Sequence, residues 1–306
     1  MARRGSPARV NALIGVDKPQ GMTSHDVVAR VRRAVGERRV GHAGTLDPLA
    51  TGVMVIGIGQ ATRLLGLLTL DTKRYLARIR FGFETSTDDA EGELTRRAPA
   101  DRALSEPEAA KRVLAGFIGT GTQVPPAFSA ISVNGVRSYR RARAGEEVEL
   151  AARPIEVFES ELVGIDSDGG DPVWTVAFTV SKGTYIRSLA RDIGRAAGSA
   201  AHVAALRRTA SGGIALSSCL ALDEIDADTV RDRALDPVAA LGLTALEVGE
   251  EALADLMCGR AIAAPSRAAA RVALTHGGRL VALAHPDGAR LAPDLVFPQA
   301  IEGVLL

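Results

Sequence analysis

Apolar positions along the chain follow two rhythms, and their order predicts the elements. Residues 11–18, NALIGVDK, read as a short strand that ends in the turn KPQGMTS. Val27, Val28, Val31, Ala34 and Val35 then recur at helical spacing, with Arg30, Arg32 and Arg33 off the stripe. Ser24 is the expected cap of that helix and Gly36 its end. The continuous apolar run VMVIGI, 53–58, predicts a buried strand, and GQATRLLGLL a short helix. Residues 73–83 alternate: Tyr75, Ala77, Ile79 and Phe81 share one face, and Arg74, Arg78 and Arg80 the other. A helix is expected over 104–116, opening at Ser105 and Pro107, and a second over 138–150 running into an extended segment. Residues 171–181 predict a strong strand, and 182–198 a turn and a helix capped at Thr184 and ended by Gly198.

Strands and helices mix irregularly, without a βαβ repeat, so an α+β fold with a mixed, mainly antiparallel sheet flanked by helices is expected. An acidic stretch at 221–242 reads as a boundary. Beyond it, apolar runs joined by Gly277-Gly278 and by Pro286-Asp287-Gly288 have hairpin chemistry. The expected division is a main domain, 1–242, and a small β-rich module, 243–306.

The 306 residues are 46% hydrophobic and 24% charged, enough for a sizeable core. Cys219 and Cys258 lie far apart, with no metal spacing around them, so no disulfide framework or zinc site is expected; both read as small buried hydrophobes. The basic N-terminus has no apolar signal-type run after it, and no run reaches the ~18 residues of a membrane span. The expectation is a soluble, cytoplasmic protein. Net charge is only +1, but residues 1–80 hold 14 Lys/Arg against 5 Asp/Glu, residues 182–208 hold 6 against one, and residues 81–110 hold 8 acids against 3 bases. Such blocks suggest a positive face with a negative back, the footprint of a polyanion binder, although Arg-rich helices also occur as plain solvated faces.

The loop GHAGTLDPLATGV, 41–53, places one carboxylate, Asp47, among turn-formers and apolar neighbours. A carboxylate can serve as nucleophile, base or electrostatic stabiliser. Asp47-Pro48 is equally able to start a turn and cap backbone N–H groups. Arg187 falls in the first turn of its helix, against the helix dipole, which suggests a carboxylate partner or else simple surface charge. Tyr75 is either a core tyrosine or a ring on which a base stacks. Leu206, in AHVAALRRTASGG, is apolar in a basic setting and by itself reads as packing.

Together these stretches form a resemblance. GVDKPQGMTSHDVVARVRR, GHAGTLDPLATGVMVIGIGQATRL, KRYLARIRFG, TSTDDAEGE, QVPPAFSAISVNGVRSYRRARAGEEVELAARPIEV and SKGTYIRSLARDIG…AHVAALRRT stand in the order found in the bacterial tRNA pseudouridine synthase B family. The resemblance covers residues 11–213. RNA-guided archaeal and eukaryotic relatives share the aspartate loop and are the nearest alternative. The resemblance implies a pseudouridine synthase fold and isomerisation of uridine 55 in the tRNA T-loop, with no cofactor or metal, the T-arm stem-loop as partner and no obligate protein partner. It implies that Asp47 is the essential aspartate, that Tyr75 stacks on the target base and takes part in proton transfer at C5, and that Arg187 pairs with the aspartate. Tyr185 and Leu206 match pocket-lining residues, His42 the histidine that accommodates flipped bases, and Arg63 a basic residue near the pocket. Residues 243–306 take the place of the family's RNA-binding PUA domain, with Arg260, Arg267, Arg271, Arg279 and Arg290 as candidate phosphate contacts.

The implied chemistry moves the glycosidic bond from N1 to C5. Asp47 would stabilise the ribose cation, attack C1′ or remove a C2′ proton; the sequence does not choose between them. Two other functions compete. A non-catalytic tRNA-folding protein would keep the basic blocks but lack one of Asp47, Tyr75 or Arg187. A glycoside hydrolase would need a second carboxylate in the loop.

Overall fold

The structure, a computed structural model, describes residues 10–69, 72–129, 131–133, 136–138, 141, 146, 150–264 and 270–304. The helix expected over 138–150 and Arg267 fall largely or wholly outside these residues. Contacts divide the chain into two compact units: 1–48, 52–70 and 210–306 form the first, and 49–51 and 71–209 the second.

In the first unit, strand Ala12–Lys18 runs parallel to Cys219–Ala221 and antiparallel to Thr51–Ile58, which also pairs with Val40–Ala43. Helix Ser24–Val35 buries Val27, Val28, Val31 and Val35 against Ile14, Val16, Met54 and Ile56, the stripe read from the sequence except for Ala34, which is exposed. Its cap is Thr23, not Ser24: the Thr23 hydroxyl accepts from the Asp26 N–H, and the Asp26 carboxylate accepts from the Thr23 N–H. A reciprocal box of this kind contributes about 1 kcal/mol. Beyond the boundary helices Ala227–Asp232 and Pro237–Ala240, strands Thr244–Glu247, Ile262–Ala263, Val272–His276, Arg279–Asp287 and Arg290–Ile301 form a five-stranded sheet. The Gly277-Gly278 turn has φ of 56° and 70°, a tight hairpin that only glycine fills without strain.

In the second unit, the strand order is Ala201–Ser211, Lys73–Thr85, Asp171–Val180, Arg153–Asp168, Gly119–Gln123. The alternation over 73–83 is observed: Ala77, Ile79 and Phe81 are buried, Arg74 and Arg78 exposed. Tyr75, on the same face, is half-buried. Trp174 is wholly buried, 4.4 Å from Phe81 ring to ring, and donates to the Leu104 carbonyl at 2.7 Å. The helix expected over 104–116 divides into a 3-10 turn, Arg102–Ser105, and helix Pro107–Ala115. Strand Arg153–Asp168 carries acids and apolar residues in near-random order, which hides it from period reading.

Three sequence readings change. Cys219 is half-buried and Cys258 exposed; neither is a core residue. The acidic block is solvated only in part: Glu84, Asp88 and Asp89 are buried, while Glu91, Glu93, Asp101, Glu106 and Glu108 are exposed. Among the module's arginines, Arg260 pairs with Asp255 at 2.9 Å, Arg271 with Asp294 at 2.8 Å, and Arg290 donates to the Ala261 carbonyl. Among the described residues, no helix is long and apolar enough to cross a membrane.

The module's sheet buries both faces. Val272, Leu274, Val281 and Leu291 pack with Leu256 of helix Glu250–Met257, while Ala273, Leu280, Leu283, Phe297 and Ile301 share one cluster with Leu13, Val53, Val55 and Leu64. Removing residues 243–306 would expose that second cluster, at about 25 cal/mol per Å² of apolar surface. The truncated chain is therefore expected to aggregate or to lose its cooperative melt. A soluble truncation with a wild-type melting curve would contradict this packing.

Candidate active site

Asp47 stands in the connection between the paired strands Val40–Ala43 and Thr51–Ile58, and is half-buried. The connection has no regular structure, so tertiary bonds fix its path. Ser24, in the first turn of its helix and 1% exposed, bonds the Leu46 peptide twice: its hydroxyl donates to the Leu46 carbonyl at 3.1 Å and accepts from the Leu46 N–H at 2.9 Å. On the other side of Asp47, the Pro48 carbonyl accepts from the Gly21 N–H at 2.8 Å and from Lys18 Nζ at 3.3 Å. Lys18 is itself fully buried, and its ammonium also donates to the Pro19 carbonyl at 2.8 Å. Gly21 has φ of 84° and Gly44 of 81°, so the turn and the loop each need a glycine. Leu46, Leu49 and Ala50 are buried.

The turn KPQGMTS thus templates the loop GTLDP, holding the residue before the aspartate and the residue after it. From the sequence alone Lys18 has no such role, and Ser24 reads only as a helix cap. The signal available was a Lys and a Ser spaced six residues apart inside a matched motif, but only the fold shows what they reach.

His42 lies on strand Val40–Ala43, half-buried, with its ring edge-on to His25 at 5.9 Å. Arg63 is exposed; its guanidinium donates to the Val296 carbonyl and lies 5.3 Å from the Phe297 ring centre. Those contacts tie it to the C-terminal strands, a role the sequence did not suggest. His42, Arg63 and Asp47 all belong to the first unit.

Tyr75, Tyr185, Arg187 and Leu206 belong to the second unit. The N-cap of helix Ile186–Ala196 is Tyr185, not Thr184, and its own side chain makes no capping bond. Gln123, 3% exposed, bonds that residue from a strand: its Oε1 accepts from the Tyr185 N–H at 2.9 Å, and its Nε2 donates to the Tyr185 carbonyl at 3.1 Å. Leu206 is 8% exposed on strand Ala201–Ser211.

Arg187, in the first turn, is 4% exposed and so is not surface charge. Its Nη1 donates to the Thr87 carbonyl at 2.9 Å and lies 3.5 Å from the Asp89 carboxylate; its Nη2 donates to the Phe128 carbonyl at 3.0 Å. Asp89, whose side chain is 4% exposed, in turn accepts from the Thr87 hydroxyl at 2.5 Å and the Glu91 N–H at 3.1 Å. A carboxylate neighbour for the guanidinium is thus present within its own unit, in the motif TSTDDAEGE; the pairing of Arg187 with Asp47 that the resemblance implies is a separate matter.

Within the first unit stands an ionisable carboxylate on a pinned backbone; within the second, a half-buried aromatic ring and a buried, oriented guanidinium. Comparison with known proteins gives these features a family. Residues 32–186 match the TruB family pseudouridylate synthase (N terminal domain), and residues 187–240 match the tRNA pseudouridylate synthase B C-terminal domain. The strands from Thr244 onward lie outside both matched spans. The chain is 49% identical over 294 residues to the tRNA pseudouridine synthase B of Thermobifida fusca, covering 94% of this chain and 98% of that one. It is 43% identical over 300 residues to that of Nocardia farcinica, covering 97% of each. Among solved structures, a chain of a Cbf5-Nop10-Gar1 complex is similar with a TM-score of 0.65 at 25% identity, covering 93% of this chain and 84% of that one. A chain of an H/ACA RNP bound to a substrate RNA containing 2′-deoxyuridine shares the fold, with a TM-score of 0.65 at 23% identity over 94% of this chain and 84% of that one.

Replacing Ser24 by Ala leaves the buried Leu46 N–H and carbonyl without their hydroxyl partner, a cost of about 1–3 kcal/mol. The variant is expected to melt lower and to form product more slowly at saturating substrate, with RNA affinity within about twofold of wild type, because the loss falls on the loop's position. Gel-shift and single-turnover measurements on the folded variant check this; weakened binding with an unchanged rate would contradict it.

Proposed function

We propose, since this chain belongs to the TruB family of pseudouridylate synthases, that it is an isomerase converting uridine to pseudouridine in tRNA, and that its target is uridine 55 of the T-loop. The observation that carries the reading is the loop of Asp47, whose flanking peptides are held by Ser24, Gly21 and Lys18. A carboxylate positioned in this way suits a reaction that needs one group with an accurate aim.

The target base leaves its stack at a cost of a few kcal/mol, offset by phosphate contacts and by stacking on Tyr75. His42, Tyr185 and Leu206 are the further residues we assign to contact with the flipped base. Breaking the C1′–N1 bond develops positive charge on the ribose, which Asp47 stabilises, captures at C1′ or relieves by removing the C2′ proton. The uracil turns, C5 bonds to C1′, and the C5 proton leaves with help from Tyr75. Arg187 supplies the positive charge that favours an ionised aspartate against desolvation. Residues 243–306 grip the tRNA outside the reacting centre as well as covering apolar surface. We place the activity in the cytoplasm, on the T-arm stem-loop, without a protein partner.

The purified chain alone, incubated with a prefolded T-arm stem-loop, is expected to form pseudouridine at position 55, mapped by chemical modification and primer extension. Asp47→Asn is expected to keep RNA binding and lose essentially all turnover; normal product formation by that variant would sink the mechanism. The bond exchange is redox-neutral and internal to one nucleotide, so exhaustive chelation is expected to leave the rate on the stem-loop unchanged. A strict metal requirement on that prefolded substrate would contradict the reading.

A further inference from the structure

Helix Ile186–Ala196 carries two arginines one turn apart, and both bridge the same two segments. Arg187 joins the Thr87–Asp89 turn to the Phe128 carbonyl. Arg191 donates from Nη1 to the Asp88 carboxylate at 2.9 Å and from Nη2 to the Val124 carbonyl at 3.0 Å, while its Nε meets Asp192 at 3.0 Å. Adjacent carboxylates thus serve adjacent arginines, and each guanidinium reaches across to a carbonyl of the segment 124–128. The Asp88–Arg191 pair is largely buried, with side-chain exposures of 9% and 12%.

Asp88 is held in place at some cost. It is the sole non-glycine residue with positive φ among the described residues, at 59°. That conformation costs roughly 1–2 kcal/mol, least for Asp and Asn. Its N–H bonds the Thr85 carbonyl and its carbonyl accepts from the Val203 N–H, which fixes the turn on the sheet. The segment 124–128 lies outside any helix or strand, so its carbonyls are aimed by such tertiary bonds.

We propose that Arg191 and Asp88 are positioning residues for the reaction: by fixing the segment 124–128 against the helix, they set the Phe128 carbonyl that orients the Arg187 guanidinium. The inference rests on the proposed role of Arg187 in pseudouridine formation. Neither residue is assigned contact with the reacting atoms; they act through the second arm of the Arg187 fork.

The charges around Asp88 give the bridge a pH signature. The helix presents Arg191, Arg187 and Arg195 as favourable charges and Asp192 as an unfavourable one. Asp89 adjoins it in the turn, and Glu84 of strand Lys73–Thr85 is held by Arg195 and Arg96. Strand Ala201–Ser211 carries His202, next to the Val203 that bonds Asp88, and burial lowers its pKa; the segment 124–128 brings only uncharged residues. Burial outweighs the arginines and pushes Asp88 up to about 6. The native state therefore holds this proton more tightly than the unfolded chain. The group's contribution to stability falls as pH rises from 3.8 through about 6 and is level above that. At neutral pH the Asp88 carboxylate is ionised and meets the Arg191 guanidinium at 2.9 Å.

The test compares Arg191→Gln, Asp88→Asn and the double variant with wild type, measuring RNA affinity and the single-turnover rate constant on the T-arm stem-loop from pH 5 to pH 8. Asparagine is nearly isosteric and suits a positive φ, so Asp88→Asn is expected to melt at neutral pH no lower than wild type. Each single variant is expected to slow the rate constant about tenfold or more, as displacement of a catalytic group does, with affinity within about twofold. The double variant is expected to be no slower than the slower single, since both remove one bridge. The ratio of wild-type to Asp88→Asn rates is expected to fall toward one at pH 5, where wild-type Asp88 is also neutral. Unchanged rates in folded variants, additive losses, weaker binding with an unchanged rate, or a pH-independent ratio would each overturn the proposal. If Arg191→Gln fails to fold, Asp88→Asn and its pH ratio decide alone. A wild-type chain that makes no pseudouridine would overturn the reading of the reaction, and this inference with it.

Discussion

A side chain can be aimed only as well as its backbone is held, and the backbone at Asp47 is held through its neighbours. Leu46 is bonded at both its N–H and its carbonyl by one hydroxyl, and Pro48 at its carbonyl by a backbone N–H and a buried ammonium. Pinning the flanking peptides fixes the point and direction from which the Asp47 side chain leaves the backbone. It also explains a Lys buried to 0% exposure: an ammonium there carries a steep desolvation cost, which two carbonyl bonds offset in part.

The second unit solves the same problem for cations. Arg187, Arg191 and Arg195 follow one face of a helix at intervals of four and meet Asp89, Asp88 and Glu84 in turn. Glu84 takes both Arg195 and Arg96, and these partners, Arg195 above all, hold its carboxyl below the usual range. Burying one member of such a pair alone costs about 3–5 kcal/mol, so the acidic strand and turn and the basic helix depend on each other. What the charge count presents as a negative block facing away from a positive one is, in part, a matched set of ion pairs.

Periodic elements were legible in the sequence, and tertiary uses of single residues were not. The stripe from Val27 to Val35, the alternation from Tyr75 to Phe81 and the Gly277-Gly278 hairpin are each fixed by local geometry, and each is found. The helix caps slipped by one residue. Thr23 and Ser24 are both able to cap, and what decides is Asp26, three residues after Thr23, which closes the box. With Thr23 on that duty, Ser24 turns inward to Leu46, a contact 22 residues away. Asp88 and Asp89 look like ordinary surface acids until the fold brings arginines 98 to 103 residues distant against them, and no local pattern encodes that. Asp47 was legible because its loop belongs to a long motif; its struts, Lys18 and Ser24, were hidden in a stretch that reads only as a turn.

The C-terminal strands show how far a domain boundary drawn from composition can mislead about dependence. The acidic stretch does separate two styles of sequence, and Thr244 does open a new sheet. Yet Leu280, Leu283 and Phe297 sit in one cluster with Leu13, Val53 and Val55, and Val53 and Val55 lie on the strand that leaves the aspartate loop. Arg63 adds a polar tie to the same strands through Val296 and Phe297, the ring contact being of the size that contributes about 0.5–1 kcal/mol at an exposed site. The module is thus part of what supports the strand carrying the loop. Any hold it has on RNA must come from surface that remains after this packing, with Arg260, Arg271 and Arg290 already engaged with partners inside the module.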